Sequence, residues 1–175
     1  MKLNLGCGLN KLEGYINIDI DEKLNPDVVH DFKTSLPYPA ASVDKVVMFH
    51  TIEHIEKKFH RGILINIRRV LKEDGELIIS YPEFGKVAQY WLDNHKGLRE
   101  FWEATIYGRQ ASPSDYHVSA MDSKEFKHLV ITSGFQVTKC VPEPDQDFNT
   151  VLKAKPDLIL TYSQAVLESV WTERS

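Results

Sequence analysis

One connection constrains this chain more than any other feature. In the segment Leu3 to Asp21, LNLGCGLNKLEGYINIDID, an apolar strand breaks at Gly6-Cys7-Gly8 and a second apolar strand opens at Tyr15. Only six residues separate Gly8 from Tyr15. Parallel neighbours in a sheet normally need a crossover of a dozen or more residues, usually a helix. A six-residue helix would cover only about 9 Å, against about 16 Å for a five-residue strand. Fully extended, six residues reach about 20 Å. The link therefore has to be an extended strap, and the first crossover helix is shortened or absent.

The remaining pattern supplies the sheet around that strap. Strand signals fall at about 2–6, 15–20, 27–30, 43–49, 75–81, 134–141 and 147–154. Helical periodicity covers about 55–72, where Ile55, Phe59, Ile63, Ile67 and Val70 recur three or four residues apart. Further helices are expected near 83–94, 97–106, 122–133 and 157–172, and about 108–118 reads as a long loop. Asp74-Gly75 and Ser133-Gly134 each read as the end of a helix and the opening of a strand. Strands alternating with helices imply an α/β fold with a mainly parallel sheet, here of seven strands. With 175 residues, 42% of them hydrophobic, and no internal repeats, residues 1–175 form a single domain. A missing first helix predicts an uncovered apolar patch beside the first two strands. The C-terminal helix at 157–172, with Leu158, Ile159, Tyr162, Val166, Val170 and Trp171, either covers that patch, makes a homodimer contact, or covers another face.

Composition narrows the setting. The net charge is -4 and the pI near 6.0, so no broad positive field invites nucleic acid. Lys57, Lys58, Arg61, Arg68 and Arg69 read as a solvated helix face. Two cysteines, Cys7 and Cys140, make no disulfide framework and suit a reducing cytoplasm. The chain opens directly on a strand signal, with no leader and no apolar run near the roughly 20 residues that span a bilayer. A soluble cytoplasmic domain without membrane association is expected.

The glycine turn and the acids beyond it carry the ligand chemistry. Glycines after a first strand let backbone approach a ligand closely. A carboxylate at the end of the second strand, Asp19, sits where the paired hydroxyls of a ribose need an acceptor. The turn lacks the third glycine of GxGxxG, and no helix N-terminus stands behind it to hold a pyrophosphate, which argues against a dinucleotide. A nucleoside without phosphates fits better. Asp21 and Asp44 read as turn acids, and Cys7 as a small packed residue.

The order of later motifs extends this reading. His30-Asp31-Phe32 and Leu36-Pro37-Tyr38-Pro39 follow the third strand; His50-Thr51-Ile52-Glu53-His54-Ile55 follows the fourth; Arg69-Val70-Leu71-Lys72-Glu73-Asp74-Gly75 leads into ELIISYP. This pattern resembles the class I S-adenosylmethionine-dependent methyltransferases, most of all a small group with LNLGCG, GYxNxD, LPFP, HxxEHI and RVLKxGG-like signatures. The likeness is close over about residues 3–82, and Asp115 to Phe135 is also similar to a later part of the pattern. It implies a Rossmann-like fold and S-adenosylmethionine as cofactor. Gly6, Cys7 and Gly8 would line the methionine part, Asp19 would hold the ribose hydroxyls, and Asp31 would accept from the adenine amino group with the backbone of Phe32 beside the ring. Asp31 before a proline-containing loop also fits plain turn chemistry. His50 would border the sulfonium and the substrate entrance.

Catalysis is expected to rest on histidine, because the cofactor supplies the reactive methyl and the protein supplies alignment and, for a hydroxyl or protonated amine, a base. His50 and His117 are the candidate catalytic residues, with His54 a further candidate base. Asp115 is placed to orient the His117 imidazole, and a His117 tied to backbone is the competing reading. Glu83 either meets substrate or caps the next helix, and Tyr90, Trp91, Phe101, Trp102 and Tyr107 read as helix packing. His50 to His54 also matches the HxxEH inverted zinc-protease signature, but His50 follows directly on a strand, so no metal ligands are assigned. The expected reaction is methyl transfer to oxygen or nitrogen of a small-molecule, sugar or lipid-linked acceptor, with the acceptor itself unknown. A binding protein that holds the cofactor or its demethylated product without turnover is the alternative.

Overall fold

The computed structural model describes residues 1–93, 99–143 and 146–157, and the side chains of 94–102 and 144–148 are left undescribed. The expected C-terminal helix lies outside the described residues, apart from Asp157. Seven strands form one sheet: β1 (Lys2–Leu5), β2 (Ile16–Asp19), β3 (Val28–Val29), β4 (Val43–Phe49), β5 (Leu71–Pro82), β6 (Phe135–Glu143) and β7 (Gln146–Pro156). Their order is β3-β2-β1-β4-β5-β7-β6. The first five pair in parallel with one another, and β7 runs antiparallel to both β5 and β6. This is the Rossmann-like, mostly parallel sheet that the alternating pattern implies. Four helices follow: α1 (Lys57–Val70), α2 (Phe84–Asp93), α3 (Arg99–Tyr107) and α4 (Ser123–Thr132). Among the described residues no helix is long and apolar enough to cross a membrane.

One face of the sheet is apolar and covered. Alternation along β1 puts Leu3 and Leu5 on that face with Ile18, Val46, Met48, Leu77 and Ile79, and α1 brings Ile63, Leu64, Ile67 and Val70 onto it. From α4, Phe126 stacks edge-on against Tyr81 at 4.8 Å between ring centres. Asp122 caps α4 by accepting from the Lys124 and Glu125 amides. Gly134, at φ +92°, turns the chain from α4 into β6 as its sequence position implies. At Asp74-Gly75 the expectation is corrected: α1 already ends at Val70 and β5 begins at Leu71. The Ala41 and Ser42 amides donate to the carbonyls of Arg69 and Val70, so tertiary pairing takes the acceptors that would have continued the helix.

The opposite face over β1 and β2 is polar, which corrects the expected apolar patch. No helix joins β1 to β2, and the strap is held instead by two buried asparagines that are register partners, Asn4 and Asn17. The Asn4 amide donates to Asn10 O at 3.1 Å and to Asn17 Oδ1 at 2.9 Å. Asn17 Oδ1 also accepts from the Leu12 amide at 2.8 Å, while its Nδ2 donates toward Leu12 O, Tyr15 O and Asp27 Oδ2. These bonds satisfy strap backbone that a helix would have satisfied internally. On the next register row Lys45 pairs with Glu76 at 2.7 Å.

Asn17→Ala is therefore expected to destabilise the protein by about 2–3 kcal/mol, because a buried network loses its centre and leaves partners unpaired. Urea unfolding measures this, and a change below about 0.5 kcal/mol, the range of ordinary surface substitutions, would remove Asn17 as the strap's anchor.

The basic residues of α1 are occupied within the fold. Lys57 pairs with Glu125 at 2.6 Å, Lys58 lies over the Phe59 ring, and Arg61 donates to Thr132 O. Arg68 donates to Gly134 O, and Arg69 to the carbonyls of Tyr38 and Leu36.

Candidate active site

The site opens at the carboxyl ends of β1, β2 and β4. Gly6 and Gly8 both take left-handed backbone, at φ +69° and +52°. The amides of Gly6 and Cys7 donate to Ile18 O, which ties the turn to β2. A Cβ on Gly6 would stand 2.2 Å from Thr51 Cγ2, whereas one on Gly8 would meet nothing within 4 Å. Gly6 thus packs against the protein while Gly8 faces open space. Thr51, a residue to which the sequence assigns no role, is buried beneath the turn, its hydroxyl within reach of the carbonyls of Leu5, Gly6 and Phe49.

Asp19 closes the other side. It is 8% exposed; its Oδ2 accepts from the Gly8 amide at 2.8 Å and its Oδ1 from the Asp21 amide at 3.1 Å. A carboxylate has about four acceptor positions, so two remain for a diol. The open space at Gly8 and the spare lone pairs of Asp19 fit an S-adenosylmethionine methionine tail and ribose. Cys7 is buried, and burial pushes its thiol up, as a packed residue rather than a nucleophile. Asp31 Oδ1 accepts from the Lys33 amide at 2.9 Å, so one oxygen does turn chemistry. Phe32 is buried in the core cluster. Asp21 caps the short 3-10 turn Glu22–Leu24, and Asp44 pairs with Lys72 at 2.6 Å, both structural as their sequence positions imply.

A second group of side chains stands at the end of β4. His50 leaves the strand at φ +49°, a region that histidine enters more readily than most non-glycine residues. Its Nδ1 lies 3.5 Å from Glu53 Oε1, and its Nε2 donates to Glu143 Oε2 at 3.1 Å. Burial works against the charged ring, but the Glu53 and Glu143 carboxylates outweigh it and hold His50 above the ordinary imidazole range. Glu53 itself is 1% exposed, and neither of its carboxylate oxygens has a hydrogen-bond partner.

His117 arrives from the loop after α3. The Val118 and Ser119 amides donate to Glu53 O, and the His117 amide to Tyr107 O, which lays this loop against the 3-10 turn Ile52–His54. The His54 and His117 rings meet edge to face at 4.7 Å. His117 Nδ1 lies 3.0 Å from Thr105 O, and burial pulls the ring below its ordinary range. The pairing with Asp115 expected from sequence is corrected: Asp115 Oδ2 accepts from the Ala111 amide and Oδ1 lies 3.6 Å from Arg109, so the Thr105 carbonyl sets the ring. The structure thus brings His50, Glu53, His54 and His117 together, and of these only Glu53 has no role assignable from the sequence.

Other expectations resolve locally. Glu83 caps α2, accepting from the Gly85 and Lys86 amides. Tyr90, Trp91 and Tyr107 are exposed rather than packed; Phe101 and Trp102 lie outside the described side chains. The HxxEH string is not on an α-helix, since β4 ends at Phe49, Ile52–His54 form only a 3-10 turn, and α1 starts at Lys57. A cavity of about 470 Å³ lies between α1 and α4, lined by His60, Met121, Phe126 and Leu129 among others, and shares no residue with either group.

Comparison with known proteins agrees with the fold. The family model described as a methyltransferase domain matches residues 7–139. No curated protein matches the chain. A protein from Pyrococcus horikoshii superposes with a TM-score of 0.64 at 16% identity, over 89% of this chain and 81% of that one. An S-adenosylmethionine-dependent methyltransferase from Methanosarcina mazei gives 0.63 at 17% identity, over 90% and 92%. The glycopeptide N-methyltransferase MtfA, complexed with S-adenosylmethionine, gives 0.59 at 12% identity, over 87% and 80%.

Proposed function

We propose that this chain, which belongs to the methyltransferase-domain family and takes S-adenosylmethionine as its cofactor, transfers the methyl group to an oxygen or nitrogen of a small-molecule, sugar or lipid-linked acceptor. The observation that carries this reading is the juxtaposition through Thr51. The glycine turn packs on Thr51, and the next residue back, His50, opens the histidine and glutamate group. Cofactor and acceptor chemistry therefore share one strand end.

When bound, the cofactor supplies a methyl group on a positively charged sulfur, already activated for transfer. The chain's residues align and deprotonate. Gly8 would leave room for the methionine tail, Asp19 would accept the ribose hydroxyls, and Asp31, whose Oδ2 lies 3.9 Å from Lys33 Nζ, would accept from the adenine amino group beside the Phe32 backbone. His117 is the group suited to take a proton: it is neutral at neutral pH, and with Nδ1–H given to Thr105 O its Nε2 lone pair is free. His50, with both ring nitrogens turned to Glu53 and Glu143 and held toward its charged form, borders the entrance for the acceptor. A cytoplasmic location, suggested by the two free cysteines, belongs to the same reading.

Calorimetric titration with S-adenosylmethionine and with S-adenosylhomocysteine tests the binding half, and a micromolar dissociation constant for either is expected. Turnover with a panel of hydroxyl and amine acceptors tests the rest. His117→Gln should lower turnover with binding intact. The acid limb of the wild-type pH profile should fall below the free-imidazole value of about 6.5, because burial lowers this group. Cofactor binding with no turnover on any acceptor would favour the inactive binding protein instead.

A further inference from the structure

We propose that Glu53, His54 and His117 form a site for one divalent first-row transition-metal ion. One oxygen and two nitrogens from these residues lie within 4.8 Å of one another. Each ligand of a zinc-like ion sits about 2.0–2.2 Å from the metal, so two ligands are at most about 4.4 Å apart. In tetrahedral geometry such ligands lie about 3.4 Å apart, so the widest pair here has to close by up to about 1.4 Å, which side-chain rotation supplies.

Two features distinguish this group from a chance cluster. Glu53 is buried, and both its carboxylate oxygens lack a hydrogen-bond partner. A buried carboxylate in that condition is costly unless a cation or donors compensate it. His50 Nδ1 at 3.5 Å gives it partial compensation from one side only. The second feature is the orientation of the rings. His54 Nδ1 lies 3.1 Å from Tyr116 O and His117 Nδ1 lies 3.0 Å from Thr105 O. A carbonyl oxygen only accepts, so each Nδ1 carries the hydrogen and each neutral ring keeps its lone pair on Nε2. Histidines that bind metals are commonly held in this way, by a backbone carbonyl on the other ring nitrogen.

The backbone keeps the three residues in register. Glu53 and His54 are neighbours on one 3-10 turn, and Glu53 O accepts from the Val118 and Ser119 amides just after His117. A Cβ on Gly108 would stand 1.9 Å from Asp115 O, so the start of the loop is closely packed as well. The two imidazoles and one carboxylate suit zinc, cobalt, nickel or iron, whereas calcium and magnesium prefer all-oxygen sets. Three protein ligands leave a coordination position open, the arrangement of a working rather than a structural site. A hydroxyl occupying that position is acidified, so in the metal-loaded protein the His117 lone pair serves as a ligand, and only in the metal-free protein is it free to take a proton. The HxxEH string would have paired His50 with His54, but the fold replaces His50 with His117.

The test needs no methyl donor, so it fails or succeeds independently of the proposed reaction. Chelator-stripped protein is titrated with Zn²⁺ by calorimetry and with Co²⁺ by visible absorption, alongside Glu53→Gln, His117→Gln and His128→Gln. His128 is exposed on α4, away from the cluster, and controls for adventitious histidine binding. The expected result is one Zn²⁺ per chain, weakened at least about tenfold by either site variant and unchanged in His128→Gln. Co²⁺ should give d–d bands in the wild type that Glu53→Gln lacks. If Glu53→Gln does not fold, His117→Gln decides. Absence of binding to the wild type, or binding that survives both site variants, would overturn the proposal and leave Glu53 as the ion-pair partner of His50 alone.

Discussion

Gly6→Ala and Gly8→Ala are expected to fail in opposite ways. At Gly6 the new methyl would stand 2.2 Å from Thr51 Cγ2 and 2.3 Å from Thr51 Oγ1, at a φ of +69°. Left-handed backbone costs an alanine about 1–2 kcal/mol, and forcing a methyl into packed surroundings adds about 1–3 kcal/mol. Against a total stability of about 5–15 kcal/mol, a loss of about 2–5 kcal/mol is severe, and cofactor affinity should fall with it. At Gly8 only the backbone cost applies, because a Cβ there meets nothing within 4 Å. For a chain of this size the melting temperature should drop by only about 2–8 °C. Cofactor affinity should nonetheless fall at least about tenfold, since on the proposed reading the methyl fills the space that the methionine tail takes. Thermal unfolding with cofactor titration separates the two outcomes. An unchanged dissociation constant in a folded Gly8→Ala would remove Gly8 from the site. Partial recovery of Gly6→Ala by Thr51→Ala would show that the clash with Thr51 costs more than the backbone angle.

That contrast also shows where sequence reasoning reaches and where it stops. The geometry at Gly6, Gly8 and Asp19 is legible because it is local: a short link, a left-handed glycine turn and an acid at a strand end that accepts from the turn lie within one segment of the chain. The absent first helix follows from chain length alone, and the connection is indeed a strap. What the strap rests on is not legible. Asn4 and Asn17 read as unremarkable polar positions until the register makes them partners and buries both.

Interactions set by distant segments account for the other differences. The end of α1 is decided by amides at Ala41 and Ser42, which no pattern within the helix reveals. Asp115 is the nearest acid to His117 in sequence, yet loop geometry turns it to the Ala111 amide and gives the ring to Thr105. Glu53 looks like an ordinary acid at a helix start. In the fold it is a buried carboxylate, and the loop carrying His117 is tied to its backbone carbonyl. A usable signal is present in the string HTIEHI, where a glutamate stands among histidines beside a strand end, but the motif points to the wrong histidine pair.

Asp19→Ala is expected to weaken cofactor binding about ten- to hundredfold, from a charge-assisted hydrogen bond worth about 1.5–3 kcal/mol at about 1.4 kcal/mol per decade. The structure adds a complication, because Asp19 also holds the turn through the Gly8 and Asp21 amides. Asp19→Asn is no milder in principle. These two amides approach different oxygens, and an asparagine would turn its NH₂ group toward one of them. Loss of affinity alone would therefore not distinguish ribose contact from a loosened turn. A double cycle with S-adenosylhomocysteine and its 2′-deoxy analogue does. If Asp19 binds the ribose directly, removing the 2′-hydroxyl should weaken binding to the wild type and matter little to Asp19→Ala. Equal losses in both proteins would confine Asp19 to supporting the turn and shift the search for the ribose acceptor elsewhere in the site.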